Sequence, residues 1–307
     1  MKKHYIPSRL FTLLVYIFLY APIVLLIVFS FNATKSNRVW GGFSTQWYVE
    51  LFHNTRLLGA LRTTIILSVL AAVIATILGT AAAIGFYSMR RRSRSAFLAV
   101  NNIPLTNADI ITGVSMMLLF VFAIGVFNSS FISEALGVRW RTGFGTLLIA
   151  HITFNAPYVI LSVMPKLRQL DPNIAEAAQD LGATSLYAFR KVVLPEIMPG
   201  VVNGALIAFT MSIDDFVISY FTAGSQESTL SMVVYSMVRR RVSPEINALS
   251  TLMFVAVLVL LVVINLRQAR QDAKESGRRK ALGQAPMAPE SIMDITAENV
   301  GREPAEH

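Results

Sequence analysis

Three carboxylates stand in otherwise apolar stretches: Asp109, Asp214 and Asp215. Near mid-bilayer a charged side chain costs about 2.5–3.5 kcal/mol on insertion scales, so it faces a cavity or an opposite charge rather than lipid. Phe216, Tyr220 and Phe221 lie directly beside the last two acids. Acids among aromatic rings suit a cationic amine, through ion pairing and cation–π contact, and would repel sulfate or phosphate. On one continuous helix Asp214 and Asp215 point about 100° apart and cannot both face one channel. The Asp215 face carries Gly204, Ala208, Ser212 and Ser219, small and polar as either a pathway or a helix contact requires. Asp214 shares its side with Thr210, Ile218 and Phe221. A cap or an interhelical salt bridge is an equally good use for each acid. This is binding chemistry, not bond-breaking. The chain has no cysteine and no Gly-Lys pair, so a G-x-x-x-x-G-K-[ST] phosphate loop is absent from the sequence. His151 has no second His or Cys nearby and reads as a packing residue. The expectation is a chain with no catalytic residues, no metal and no cofactor of its own.

The elements that hold these acids must be membrane helices. Of 307 residues 54% are hydrophobic and only 15% charged, where a soluble domain carries about a quarter charged. The run 10–31 contains no charge, and at about 1.5 Å per residue it covers the roughly 30 Å of bilayer hydrocarbon. Further runs at 63–89, 110–127, 143–165, 200–221 and 248–266 predict six spans, all helical, because backbone crossing lipid must satisfy its own hydrogen bonds. The third span opens irregularly, with Pro104 and four polar residues before the apolar run. Such backbone is tolerated at membrane depth only where protein or a cavity surrounds it. Trp40, Trp47 and Tyr48, between the first two spans, suit a helix at the membrane interface.

Lys2, Lys3 and Arg9, Arg90 to Arg94, Lys166 and Arg168, and Arg267 to Lys274 fall on one side of a six-span chain. By the positive-inside rule that side, with both termini, is cytoplasmic. Arg239 to Arg241 fall on the other side, after an amphipathic stretch, 230–238, suited to lying at the outer surface. The net charge of +9 follows from this anchoring and from contact with anionic lipid; no basic face for nucleic acid is visible. The domain plan is a cytoplasmic N-terminus (1–9), a membrane domain (10–266) and an aperiodic cytoplasmic tail (267–307), read as disordered.

The loop between the fourth and fifth spans, about 166–198, has the strongest local pattern. Asp171-Pro172 suits a helix start, residues 174–181 make two turns, and Gly182 permits a sharp bend. Thr184 or Ser185 can cap a second short helix that Leu194-Pro195 would stop. Ala175, Ala177 and Ala178 keep this elbow thin enough for another protein to pack closely. Glu176, Arg190 and Lys191 can fix the register of that contact.

The spacing Glu176-Ala177-Ala178, three residues, Gly182, nine residues, Val192-Val-Leu194-Pro195 resembles the coupling loop of type I ABC importer permeases, with valine where isoleucine is usual. The resemblance covers roughly residues 60–266, the five-helix core of that family, with 10–31 as an additional first helix. Residues 212–219 and 242–249 are further similar to the PotC-like spermidine/putrescine permease subunits. The resemblance implies a permease in the bacterial inner membrane, working with a second related permease, two ABC ATPase subunits that bind ATP and Mg, and an extracytoplasmic binding protein. It implies ATPase coupling through Glu176, Ala177, Ala178, Gly182, Leu194 and Pro195. Polyamine passage would run along Asp109, Asp214, Asp215, Phe216 and Tyr220. Other cargoes of such importers (iron, thiamine, sugar) are the nearest alternative. A proton-coupled secondary transporter is the more distant one, since such folds often show two related halves and no internal repeat is visible.

Overall fold

The computed structural model describes residues 5–35, 39–130, 134, 137, 139–171, 173–240, 245–259, 262 and 266. Among them the helices are α1 (Tyr5–Ser30), α2 (Gln46–His53), α3 (Thr55–Ser88), α4 (Arg91–Thr106), α5 (Asp109–Asn128) and α6 (Phe144–Gln169). Then come α7 (Ile174–Asp180), α8 (Ser185–Ala188), a π-helical turn (Phe189–Val193), α9 (Leu194–Asp214), α10 (Val217–Thr222), α11 (Leu230–Arg240) and α12 (Glu245–Val259). The described residues form no named strand, so the all-α expectation holds. Five helical stretches are long and apolar enough to cross a bilayer, namely Leu10–Ser30, Thr55–Ser88, Asp109–Asn128, Phe144–Gln169 and Ser185–Asp214. The expected sixth span is described only as the shorter apolar α12. Most of 260–266, the tail 267–307, Pro172, Arg241 and the charged residues Lys2 and Lys3 lie outside the described residues.

Small residues build the centre of the bundle. Ala72, Ala83 and Gly79 of α3, Val159 and Val163 of α6, and Ala208 of α9 are packed together in one core. A side chain at Gly200 would meet the Ser162 carbonyl at 2.8 Å, and one at Gly204 would meet the Val159 Cα at 3.1 Å. This is the close backbone approach that membrane helices use in place of a hydrophobic driving force. Leu67 packs with Leu147, and Gly79 lies against Val159, so α3 and α6 run parallel. Gly200 faces Ser162 while Ser212 faces Asn155, so α9 runs antiparallel to both.

At one end of this bundle α1 is tied to α2. Trp47 is buried and its Nε1–H donates to the Asn32 carbonyl at 2.6 Å, while Tyr48 and Ser30 share a 2.7 Å hydroxyl contact. Trp47 therefore acts as an internal brace. The Asn32 carbonyl, beyond the last turn of α1, gives the indole N–H its partner within the protein.

Glu245, at the head of α12 and before the apolar run, is pushed above the ordinary carboxylate value, first by burial and then by the charge of Glu50; Asn54 and Lys35 oppose the shift. A raised folded-state value means that the folded chain holds this proton more tightly than the unfolded chain does. The stability it contributes is present below the ordinary carboxylate range and is lost as pH rises through the raised value. Glu245→Gln should therefore raise the thermal midpoint of the purified protein near neutral pH, and change it little at about pH 4. An equal gain at both pH values would mean that the charge is not the cause.

Candidate functional site

The elbow is built from backbone geometry before any side chain is considered. The Asp171 Oδ1 accepts from the Asn173 N–H at 2.9 Å, and the Ile174 N–H donates to the Asp171 carbonyl at 3.1 Å. Asn173, not Asp171, is the N-cap of α7, and its side chain makes no cap bond. Gly182 has φ +90°. Its N–H donates to the Gln179 carbonyl at 2.8 Å, and the Ala183 N–H donates to the Ala178 carbonyl at 3.1 Å. These two bonds close the end of α7 as a Schellman motif, which requires the left-handed residue that glycine supplies. The Thr184 hydroxyl then accepts from the Tyr187 N–H at 3.4 Å and caps α8.

Beyond α8 the structure departs from expectation. Leu194-Pro195 does not stop the helix. Val193 and Leu194 keep right-handed helical dihedrals, and Pro195 falls in the first turn of α9, where a missing N–H leaves little unmade. The π turn at Phe189–Val193 absorbs the mismatch. The helical fifth span thus begins at Ser185, well before the expected position 200.

Glu176, Ala177 and Gly182 are exposed, Ala178 is half-buried, and Leu194 packs against the α3–α6–α9 core. So the elbow presents one face outward and roots the other in the bundle. Sequence reasoning passed over its apolar tip. Leu181 is 91% exposed, and Leu186 and Tyr187 are exposed beside it. Large apolar side chains flanking the bend of a polar loop were the available signal, and they are the residue types that anchor protein contacts.

The second cluster lies where two membrane helices break. α4 ends at Thr106, the chain extends at Asn107 and Ala108, and Asp109 opens α5. α9 ends at Asp214, and Asp215 takes an extended conformation (φ −60°, ψ 122°) before α10. The predicted continuous helix 200–221 is therefore interrupted, and the angular argument about its two acids does not apply. The first break lies near the middle of α6, where Asp109 is within electrostatic reach of Tyr158; the second lies toward the N-terminal half of α6, past the contact of Ser212 with Asn155, and Gly113 of α5 packs on Phe221 and Val217. Asp215 itself stands beside His151, in the half of α6 that lies away from the elbow.

Asp215 is the cap of the second break. Its carboxylate accepts from the Ile218 N–H at 3.2 Å and the Ser219 N–H at 2.7 Å. The His151 Nε2 lies 3.5 Å from its Oδ2 and 3.1 Å from the Ser219 hydroxyl. The Asn155 Nδ2 donates to the Ser212 hydroxyl at 2.7 Å. His151 is thus the buried packing residue expected, and the small, polar Asp215 face is a contact between α9–α10 and α6. Asp214 and Asp109 are exposed within the chain.

Phe216 and Tyr220 line a cavity of about 560 Å³. Phe216 packs in tilted geometry against Tyr235, 4.3 Å between centroids, and against Tyr220, 5.5 Å between centroids. The cavity opens between α10, α11 and the start of α3, away from the elbow, with Arg56 and Arg239 also on its wall. The structure therefore joins Phe216 and Tyr220, leaves Asp214 exposed two residues ahead of Phe216, and withdraws Asp215 into the protein. No group of three or more potential metal ligands occurs among the described residues.

Comparison with known proteins matches this arrangement to a family. Residues 75–276 match the family described as binding-protein-dependent transport system inner membrane component. Over 253 residues the chain is 42% identical to the putrescine transport system permease protein PotI of Escherichia coli K12, covering 82% of this chain and 87% of that one. Over 256 residues it is 38% identical to the spermidine/putrescine transport system permease protein PotC of Haemophilus influenzae, covering 83% and 94%. Among solved structures, a bacterial ABC transporter involved in the import of the acidic polysaccharide alginate superposes with TM-score 0.60 at 17% identity, over 86% of this chain and 94% of that one. The same fold recurs, at TM-score 0.59 and 18% identity, in a bacterial alginate ABC transporter in complex with a periplasmic protein bound to alginate pentasaccharide; 84% of this chain and 90% of that one are covered. At those identities the structural likeness speaks for the fold alone; on the matched residues and the sequence identities, the chain belongs to the family of binding-protein-dependent transport system inner membrane components.

Proposed function

We propose that this chain is one of two permease subunits of an ATP-driven polyamine importer, with putrescine or spermidine as cargo. The observation that carries the reading is the pairing of the Schellman-closed elbow with a helix break at which Asp214 is exposed, two residues ahead of Phe216 on an aromatic-walled cavity. The elbow offers a docking face to a separate ATPase, which would bind ATP and Mg. The identities to polyamine permeases support the cargo class. On this reading the elbow end, with the Arg90–Arg94 cluster and both termini, faces the cytoplasm. The cavity end faces outward and receives cargo from an extracytoplasmic binding protein. Nucleotide-driven closure of two ATPases moves the elbow, and the helical run from Ser185 to Asp214, made of α8, the π turn and α9, carries that movement to the break.

Uptake of radiolabelled putrescine and spermidine by a strain carrying the complete operon tests the reading. Wild-type cells should accumulate label. Asp214→Asn should raise the concentration for half-maximal uptake about tenfold or more, the scale of one lost charge-assisted contact. Failure of the wild-type strain to accumulate either amine would refute the cargo.

A further inference from the structure

The cavity beside the α9–α10 break has a charge pattern that a passage for cations does not explain. Among the described residues its wall carries two guanidinium groups, Arg56 and Arg239, and no acid. Among the described residues neither arginine makes a salt bridge. Arg239 lies over the Tyr235 ring, 5.8 Å from its centroid, in the last turn of α11, where the helix dipole favours a cation. Arg56 has no such excuse: it stands in the first turn of α3 with no acid beside it in that turn, at the end where the dipole opposes positive charge. Tyr220, Tyr235, Ser228 and Ser236 add hydroxyl groups around the same space. Paired guanidiniums with hydroxyl donors and aromatic faces suit a carboxylate, which arginine engages through two parallel hydrogen bonds.

We propose that Arg56 and Arg239 form a receptor for acidic side chains of the protein that delivers the cargo. The inference rests on the importer reading, which supplies that partner and places the cavity on the outer side. A protein that holds a polyamine must line its cleft with carboxylates, because burying an ammonium group without an opposite charge is costly. When that cleft opens against the permease its acids lose their cation. Arg56 and Arg239 then take the place of the ammonium groups, and their own positive charge at the mouth is neutralised as the amine enters. Until then the two guanidiniums repel free cations from the cavity. Docking and admission of cargo become one electrostatic event.

The test uses the complete transporter in nanodiscs, its cognate binding protein as the titrant, and binding-protein-stimulated ATP hydrolysis as the readout. Arg56→Gln/Arg239→Gln should raise the half-stimulating concentration of binding protein about tenfold or more and flatten its dependence on salt. Hydrolysis without binding protein should stay unchanged, and Arg56→Lys/Arg239→Lys should recover part of the loss. Both arginines are exposed, so the thermal midpoint of the variant should match the wild type and serves as the folding control. An unchanged half-stimulating concentration and salt slope overturns the proposal. So does a wild-type concentration that follows the anionic lipid content of the disc, which would identify a lipid headgroup as the occupant. If the binding protein still drives arginine-dependent hydrolysis while no polyamine is taken up, the cargo reading falls and the receptor stands.

Discussion

Gly182→Val is expected to abolish most ATP-driven uptake, at least about tenfold, while the chain still inserts and assembles with its partner permease. Gly182 has φ +90° and nothing lies within 4 Å of the position a Cβ would take. The cost of a side chain is therefore conformational and not steric. A left-handed conformation costs a residue with Cβ roughly 1–2 kcal/mol, and more for a β-branched one. That is enough to shift the elbow from its Schellman closure to competing turns, since about 1.4 kcal/mol is tenfold in an equilibrium. Once the bonds from Gly182 to Gln179 and from Ala183 to Ala178 open, Leu181 no longer holds its place relative to Leu186 and Tyr187. The partner ATPase then meets the wrong surface.

Gly182→Asn supplies the discriminating comparison. Asparagine tolerates the left-handed region, and its side chain would project into open space, so this variant should retain most uptake. Uptake in membrane vesicles, measured with ATPase activity and co-purification of the ATPase subunit, separates the outcomes. Full coupling in the valine variant would show that the bend at 182 does not set the docking face. Equal loss in both variants would show that the partner requires a bare backbone there.

The elbow was legible in the sequence because each of its instructions is local. A carboxylate near a helix start, a glycine at a helix end and a hydroxyl ahead of α8 act within four residues, and all three are found in use. The span boundaries were less legible. Hydropathy counts side chains, and the stretch 185–199 carries Arg190, Lys191, Glu196 and two prolines, so it reads as loop although its backbone stays helical. The helix break at Asp215 was hidden for the opposite reason. Its cap bonds run to Ile218 and Ser219, which a local rule can propose, but its support comes from His151, 64 positions earlier in the chain, and only tertiary packing brings that ring within 3.5 Å. The pairing of Arg56 with Arg239 across one cavity has no sequence signature at all.

Asp214 and Asp215, adjacent in the chain, should respond to substitution in opposite ways. Asp215 has a side chain 9% exposed and serves two backbone N–H groups of α10 together with His151. Asp215→Ala removes a helix cap, worth about 0.5–2 kcal/mol. It also leaves buried donors without an acceptor, at about 1–3 kcal/mol for each one that stays unsatisfied. The thermal midpoint of the purified transporter should fall by several degrees and uptake should be lost with it. Asp215→Asn keeps one acceptor oxygen, so it should restore part of the stability with little change in the half-saturating concentration of cargo. His151→Phe/Asp215→Ala should cost less than the two single changes added together, because removing the imidazole also removes a group that the missing carboxylate had satisfied. Asp214→Asn should do the reverse, weakening cargo affinity at an unaltered midpoint. A large rise in half-saturation for Asp215→Asn at wild-type stability would assign the buried acid to the passage itself. Additive costs in the double variant would break the link between His151 and the helix break on which the positioning role depends.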